Sequence, residues 1–219
     1  MADSGTTGRT NQKARTRRAI VEACRELIRS GAEVTMPQVA QLALVSEATA
    51  YRYFPDLVSL VQEALVGLWP DPAQALAPIA GSTDPVERVA FACEHLLRGV
   101  LAYQGAVRAT ISHTITAPPR ARDRPGLRFT LLDHALAPFQ APGGPAYLPP
   151  AAMDRLKLDL AITVSAEALF VLTDLCGLAP DEAITSAVRT ATTLTRAAFT
   201  HDVQESNPTN GRQSDGEGM

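Results

Sequence analysis

Apolar residues recur at helical spacing through most of the chain. Ile20, Ala23, Cys24, Leu27 and Ile28 fall at i, i+3, i+4, i+7 and i+8, the stripe of one helix face. This pattern begins near Asn11. The Gly/Ser/Thr-rich residues 1–9 before it are expected to be disordered. Gly31 stands just past the stripe, where a left-handed C-cap residue belongs. A short second helix is expected over residues 35–43, because Thr35 and Gln38 have capping-box spacing and Pro37 lies in the first turn, where its missing N–H does no harm. A third should start at Ser46 as N-cap and run to about Tyr53, closed by Pro55 and Asp56. Leu57, Leu60, Val61, Ala64, Leu65 and Leu68 stripe a fourth, which "WPDP" at 69–72 breaks.

The remainder is also helical in pattern. Asp84 and Pro85 make an N-cap followed by proline at the first helical position. Val86, Val89, Ala90, Cys93, Leu97, Val100 and Leu101 form the stripe behind them. Residues 118–150 hold eight of the sixteen prolines and read as loops, with room for one helix near residues 127–137. Two long helices are expected over residues 150–176 and 181–201. The first is apolar on two sides: Met153, Leu156, Leu160, Val164 and Val171 on one, and Leu158, Ile162, Leu169 and Leu172 on another, about 160° away. Such a helix is buried on both sides, one against its own subunit and the other against a further partner, unless a monomer buries both. The last helix adds Ile184, Val188, Ala191, Thr195 and Ala198, small enough for close packing. Two such helices from each of two chains would make a two-fold four-helix bundle, with Leu156, Leu160, Val164, Val171 and Leu175 contributed by the first. No strand-length alternation, Gly-rich phosphate loop or internal repeat is present in the sequence, so the fold class is all-α.

Composition narrows the class. The chain has 219 residues, 46% hydrophobic and 20% charged, as in a globular protein. No apolar run reaches the roughly 18 residues of a membrane span, and the polar N-terminus does not read as a secretory signal. Three widely spaced cysteines fit neither a disulfide framework nor a metal site, and a cytoplasmic location with no metal or cofactor is expected. The net charge of -3 does not advertise nucleic acid, but its distribution is uneven. Arg9, Lys13, Arg15, Arg17 and Arg18 form a stretch without acids that could neutralise phosphates or simply be a solvated helix start.

The short second and third helices have helix-turn-helix proportions, with Ala40 small at their closest approach and Val45 able to plug the space between them. The segment "TMPQVAQLALVSEATAYRYF" resembles the helix-turn-helix of the tetracycline-repressor (TetR) family of transcriptional regulators, through Thr35, Val39-Ala40, Val45-Ser46, Thr49, Tyr51, Tyr53 and Phe54. The preceding "TRRAIVEACRELIRSGAEV" is similar to the family's first helix, and the resemblance covers roughly residues 10–66. It implies a DNA-binding domain over residues 10–66, a ligand-binding and dimerisation domain over residues 67–203, and a disordered tail over residues 204–219. Two positions depart from the family: Leu44 stands where a turn glycine is usual, and Leu57 where a phosphate-binding lysine is usual.

A recognition helix places its N-terminal residues at base edges, where small Ala48, Thr49 and Ala50 permit close approach. Thr49 could touch a thymine methyl or a phosphate. Tyr51 and Tyr53 could give hydroxyls to phosphates, Arg52 could pair with guanine or with a phosphate, and Glu47 could accept from a cytosine amino group. Each residue has a plainer role open to it: Glu47 favours the helix dipole, Thr35 caps, and Tyr53 and Phe54 could be core. The candidate DNA-binding set is Arg15, Arg17, Arg18, Thr35, Met36, Ser46, Glu47, Ala48, Thr49, Tyr51, Arg52 and Tyr53. For a small-molecule effector, which the family binds among its central helices, the candidates are Phe91, His95, Arg98, Tyr103, His113, Phe129, His134 and Phe170. The expected function is that of a homodimeric repressor released from operator DNA by a small molecule. The alternatives are a helical interaction module with weakened DNA binding, or a small hydrolase using Ser112, His113, Asp133 and His134. No G-x-S-x-G elbow joins those four residues, and an enzyme is not expected.

Overall fold

The computed structural model describes residues 4–65, 68–69, 71–116, 126–144 and 146–205; the side chains of residues 4–9, 113, 114, 116, 127 and 201–205 are outside the description. Every regular element among these residues is helical, so the fold is all-α. The helices are α1 (Ser4–Ser30), α2 (Met36–Leu42), α3 (Glu47–Tyr53), α4 (Leu57–Leu65), a single turn α5 (Pro72–Ala75), α6 (Pro85–Ala102), α7 (Gln104–Thr116), α8 (Leu127–Leu136), α9 (Pro150–Thr163), α10 (Ala166–Phe170) and α11 (Pro180–Glu205). Two 3₁₀ turns (Ala77–Ile79, Ala137–Phe139) and one π turn (Val171–Leu175) complete the set.

Several boundaries follow from the expected caps. Gly31 has φ +70 and its N–H donates to Ile28 O, ending α1. Asp84 Oδ1 accepts from Val86 N at 2.8 Å, with Pro85 opening α6. Two boundaries differ from expectation. Helix α1 begins at Ser4, so an irregular residue 4–9 segment is not formed; once a helix is nucleated, each further turn closes its own hydrogen bonds at little cost. The helix expected over residues 150–176 is broken. Helix α9 stops at Thr163, and Ser165 opens α10 by accepting from Ala168 N at 3.0 Å while donating to Ile162 O at 2.8 Å. A serine that can bond the backbone locally competes with helix continuation, and here it starts a new helix instead. The tail expected to be disordered lies outside the described residues from position 206 onward.

The chain divides into two compact units that are not contiguous in sequence: Met1–Gln74 with Leu96–Leu127, and Ala75–His95 with Arg128–Met219. In the first, α1 packs on α2 and α4, α2 on α3, and α7 on α4. Ile20, Cys24, Ile28, Val39, Phe54 and Leu60 are buried at its centre, and Ala106 of α7 joins the same cluster. Arg25 Nε donates to Ala64 O at 2.9 Å, satisfying a carbonyl that the end of α4 leaves unpaired. Trp69 packs against Tyr103, ring centroids 5.8 Å apart, and so closely on Gly99 that a methyl group there would lie 2.5 Å from the indole edge.

In the second unit α9 and α10 pack on α11, with Phe139 and Phe199 meeting edge to face at 5.7 Å. Its buried cation is Arg88, only 3% exposed. Arg88 donates to Ala135 O (2.7 Å), Ile79 O (2.9 Å), Ala80 O (3.2 Å) and His134 O (3.2 Å). The guanidinium therefore sits at the C-terminal end of α8, where carbonyl dipoles favour positive charge, and burial lowers its pKa from the usual value.

Candidate nucleic-acid interface

Helix α2 is capped by Thr35: Gln38 N donates to Thr35 Oγ1 (3.4 Å), and the threonine hydroxyl donates to Gln38 Oε1 (2.8 Å). Its other end closes in a Schellman turn, with Leu44 N donating to Gln41 O at 3.2 Å and Val45 N to Ala40 O at 3.0 Å. Leu44, the left-handed residue of that turn, has φ +56. Two residues later Ser46 caps α3, accepting from Thr49 N at 3.2 Å and donating to Thr49 Oγ1 at 2.9 Å. Both ends of the turn are thus fixed by backbone and capping bonds, which hold α3 at a set angle to α2.

Helix α3 has one inward and one outward side. Ala50 and the following Phe54 are buried, anchoring the helix in the core of the first unit. Ser46, Glu47, Ala48, Tyr51 and Arg52 are exposed, while Thr49 and Tyr53 are half-buried. The Arg52 guanidinium lies over the Tyr53 ring at 5.8 Å. A groove of about 620 Å³ runs between α1 and α3, lined by Gln12, Lys13, Thr16, Val45, Ser46, Thr49, Arg52 and Tyr53. A second, of about 530 Å³, shares Gln12, Thr16 and Val45 with it and adds Asn11, Arg15, Ala19 and Ala43. Both are basic, and none of their lining residues is an acid.

Three residues of the candidate set are placed differently from the rest. Met36 is 3% exposed and belongs to the core, because the first turn of α2 faces α1. Thr35 is half-buried, with its hydroxyl engaged in the cap. Arg17, though exposed, is engaged within the chain: Nε donates to Glu63 Oε1 (3.0 Å), Nη2 forms an ion pair with Glu63 Oε2, Nη1 donates to Tyr53 O (3.3 Å), and the guanidinium stacks 4.3 Å from the Phe54 ring centroid. Arg15 and Arg18 remain exposed on α1. Glu63 is the residue that sequence reasoning missed. An acid on α4, forty-six positions away, has no local signal that it will face Arg17. Leu57 is half-buried and packs against the core of the first unit.

The effector candidates are distributed over both units. Phe91 and His95 stack at 6.4 Å on α6 within the second unit. Tyr103 belongs to the first, where its hydroxyl reaches Leu68 O at 3.5 Å. Arg98, Phe129 and His134 are exposed, Phe170 is half-buried, and the His113 side chain lies outside the described residues. The dimerisation candidates divide. Leu156, Leu160, Val164, Ile184, Ala191 and Thr195 are buried, and Val188 and Ala198 are half-buried; the α9–α11 packing that covers them is within one chain, so the buried six are not offered to a partner. Val171 (49%) and Leu175 (81%) are exposed, together with Leu158 (66%) and Ile162 (75%) of the opposite stripe. Among the described residues no group of three or more His, Cys, Asp or Glu could hold a metal ion, and no helix is long and apolar enough to cross a membrane. No protein-family model, curated protein or solved structure matches this chain.

Proposed function

We propose that the chain is a homodimeric, ligand-responsive transcriptional regulator of the tetracycline-repressor type. In this reading α2 and α3 form a helix-turn-helix, α3 enters the major groove of an operator, and a small molecule releases the protein from it. The observation that carries the reading is the outward side of α3: Ser46, Ala48, Tyr51 and Arg52 lie on a helix pinned by a Schellman turn and a serine cap, beside basic grooves without acidic lining residues. Lys13, Arg15, Arg18 and Arg52 supply phosphate contacts, whereas Arg17 holds α1 to α3 and α4. The exposed Leu158, Ile162, Val171 and Leu175 supply the apolar surface for the second copy.

The test is binding of the full chain to DNA from upstream of its own gene across a salt series. Four phosphate contacts per protomer predict a slope of log K against log salt near about -7 for a dimer. A flat salt response, or no preference over unrelated DNA, rejects the proposal. The packing of Leu57 favours a second reading, an interaction module with weakened DNA binding. Leu57→Lys separates the two: a lysine snorkelling from this position should steepen the slope by about one unit if α4 approaches phosphate. An unchanged slope favours the second.

A further inference from the structure

Leu44 combines two unfavourable features at one residue. It is the only non-glycine with positive φ among the described residues, in a conformation that crowds Cβ against the following carbonyl. It is also 92% exposed, so packing within the chain does not offset that strain, and an isobutyl group is left in water. Glycine would remove both features, and asparagine would relieve most of each. The turn is well fixed, with Val45 N and Leu44 N both bonded back to α2, so the backbone sets where the Leu44 side chain projects. Strain held at an exposed apolar residue has a physical account if a bound state covers that residue.

We propose that Leu44 is a specificity-determining contact of the DNA-bound state, its side chain lying against the C5-methyl of a thymine in the major groove beside α3. The proposal rests on the DNA-binding reading above. Charge selects the occupant: the two grooves meeting at Val45, the next residue, present Lys13, Arg15 and Arg52 without an acid, which suits a polyanion better than an apolar protein surface. Position selects the contact. Leu44 lies two residues before the Ser46 cap, at the same end of α3 as the exposed and small Ala48. The thymine methyl is the apolar group that base edges offer in the major groove, and an apolar side chain against it distinguishes thymine from cytosine. A glycine in this turn would make neither contact nor distinction.

The experiment selects binding sites from a random duplex pool with the full chain, then compares wild type with Leu44→Asn, Leu44→Gly and Leu44→Met. Leu44→Asn and Leu44→Gly should melt at the wild-type temperature or up to about 3 °C above it, since the strain is relieved. Their affinity for the wild-type site should fall by about 5- to 30-fold, while affinity for unrelated DNA and the salt slope stay unchanged; Leu44→Met should retain most of the affinity. Replacing site thymines by deoxyuridine, one at a time, should reveal a position in each half-site where wild type loses affinity and Leu44→Asn does not. Equal affinity and identical selected sites for all variants would refute the contact while leaving the DNA-binding reading in place. Loss of affinity for all DNA alike would also refute it. Failure of the wild type to select any sequence would overturn that reading and the contact together.

Discussion

The Arg17 guanidinium is engaged from three sides: the Glu63 carboxylate, the Tyr53 carbonyl and the face of Phe54. Each contribution is modest, because the ion pair is substantially exposed and screened by water. Together they tie α1 to the C-terminal end of α3 and to α4. Arg17→Ala should therefore lower stability by about 1 kcal/mol, read as a melting temperature some 2–4 °C lower with no DNA present. A phosphate-only residue would leave that temperature unchanged. The cysteines make a second residue-scale case. Burial pushes the Cys24 and Cys93 thiols up from 9.0 to about 12, partly opposed at Cys24 by Arg25 and reinforced at Cys93 by Glu94. Cys176 is exposed, so alkylation of the folded chain at mildly alkaline pH should modify it alone. The folded state keeps protons on the two buried thiols that the unfolded chain releases near pH 9. Their contribution is complete below that pH and is lost as pH rises toward 12, so a denaturation midpoint should fall across this window.

Helix ends divide into those that the sequence announces and those that it hides. Thr35, Ser46 and Asp84 are legible because each stands before an apolar stripe and caps through its own side chain; Gly31 is legible as the one residue type that takes a left-handed C-cap without strain. The break at Val164–Ser165 is hidden because the apolar period runs through it, whereas Gly105 stands two residues past Tyr103, where residues 85–116 divide into α6 and α7. Ser165 restarts the helix, so the facing of Leu169 cannot be extrapolated from Leu158 and Ile162: Leu169 is fully buried while those two are exposed. Arg88 belongs to this scale because one side chain closes α8 and bonds the carbonyls of Ile79 and Ala80 at the end of a 3₁₀ turn. Arg88→Met fills a similar volume but removes the guanidinium donors from all four carbonyls, of which Ile79 O keeps its bond from Ser82 N. It should cost about 2–4 kcal/mol in a denaturant titration, with amide exchange accelerating first at the end of α8. Arg88→Lys, able to reach fewer of them, should fall between the two.

At the scale of the whole chain, the two compact units interleave in sequence, and α6 passes from one to the other between His95 and Leu96. Hydrophobic periodicity identifies which residues want burial but not which unit receives them, which is why Ala106 and Tyr103 join the core around α1–α4 without any signal in their own neighbourhood. It is equally silent on which of two apolar stripes stays uncovered. The residues left uncovered here are Leu158 and Ile162 from one stripe and Leu175 from the other, each more than half exposed. If they form a dimer surface, Leu158→Glu with Ile162→Glu should convert a dimer to a monomer in sedimentation equilibrium and leave helical content unchanged, whereas a wild type that sediments as a monomer removes the dimer from the proposed function. Trp69 adds a consequence of an optical kind. It is the chain's single tryptophan, and it is lodged against Gly99 and Tyr103 within the unit that holds α1–α4. Its emission is a reporter confined to that unit, while circular dichroism reads every helix in the chain. Coincident melting curves from the two would mean that both units unfold as one cooperative system; an emission change that precedes the loss of helix would identify the Trp69 unit as the first to open.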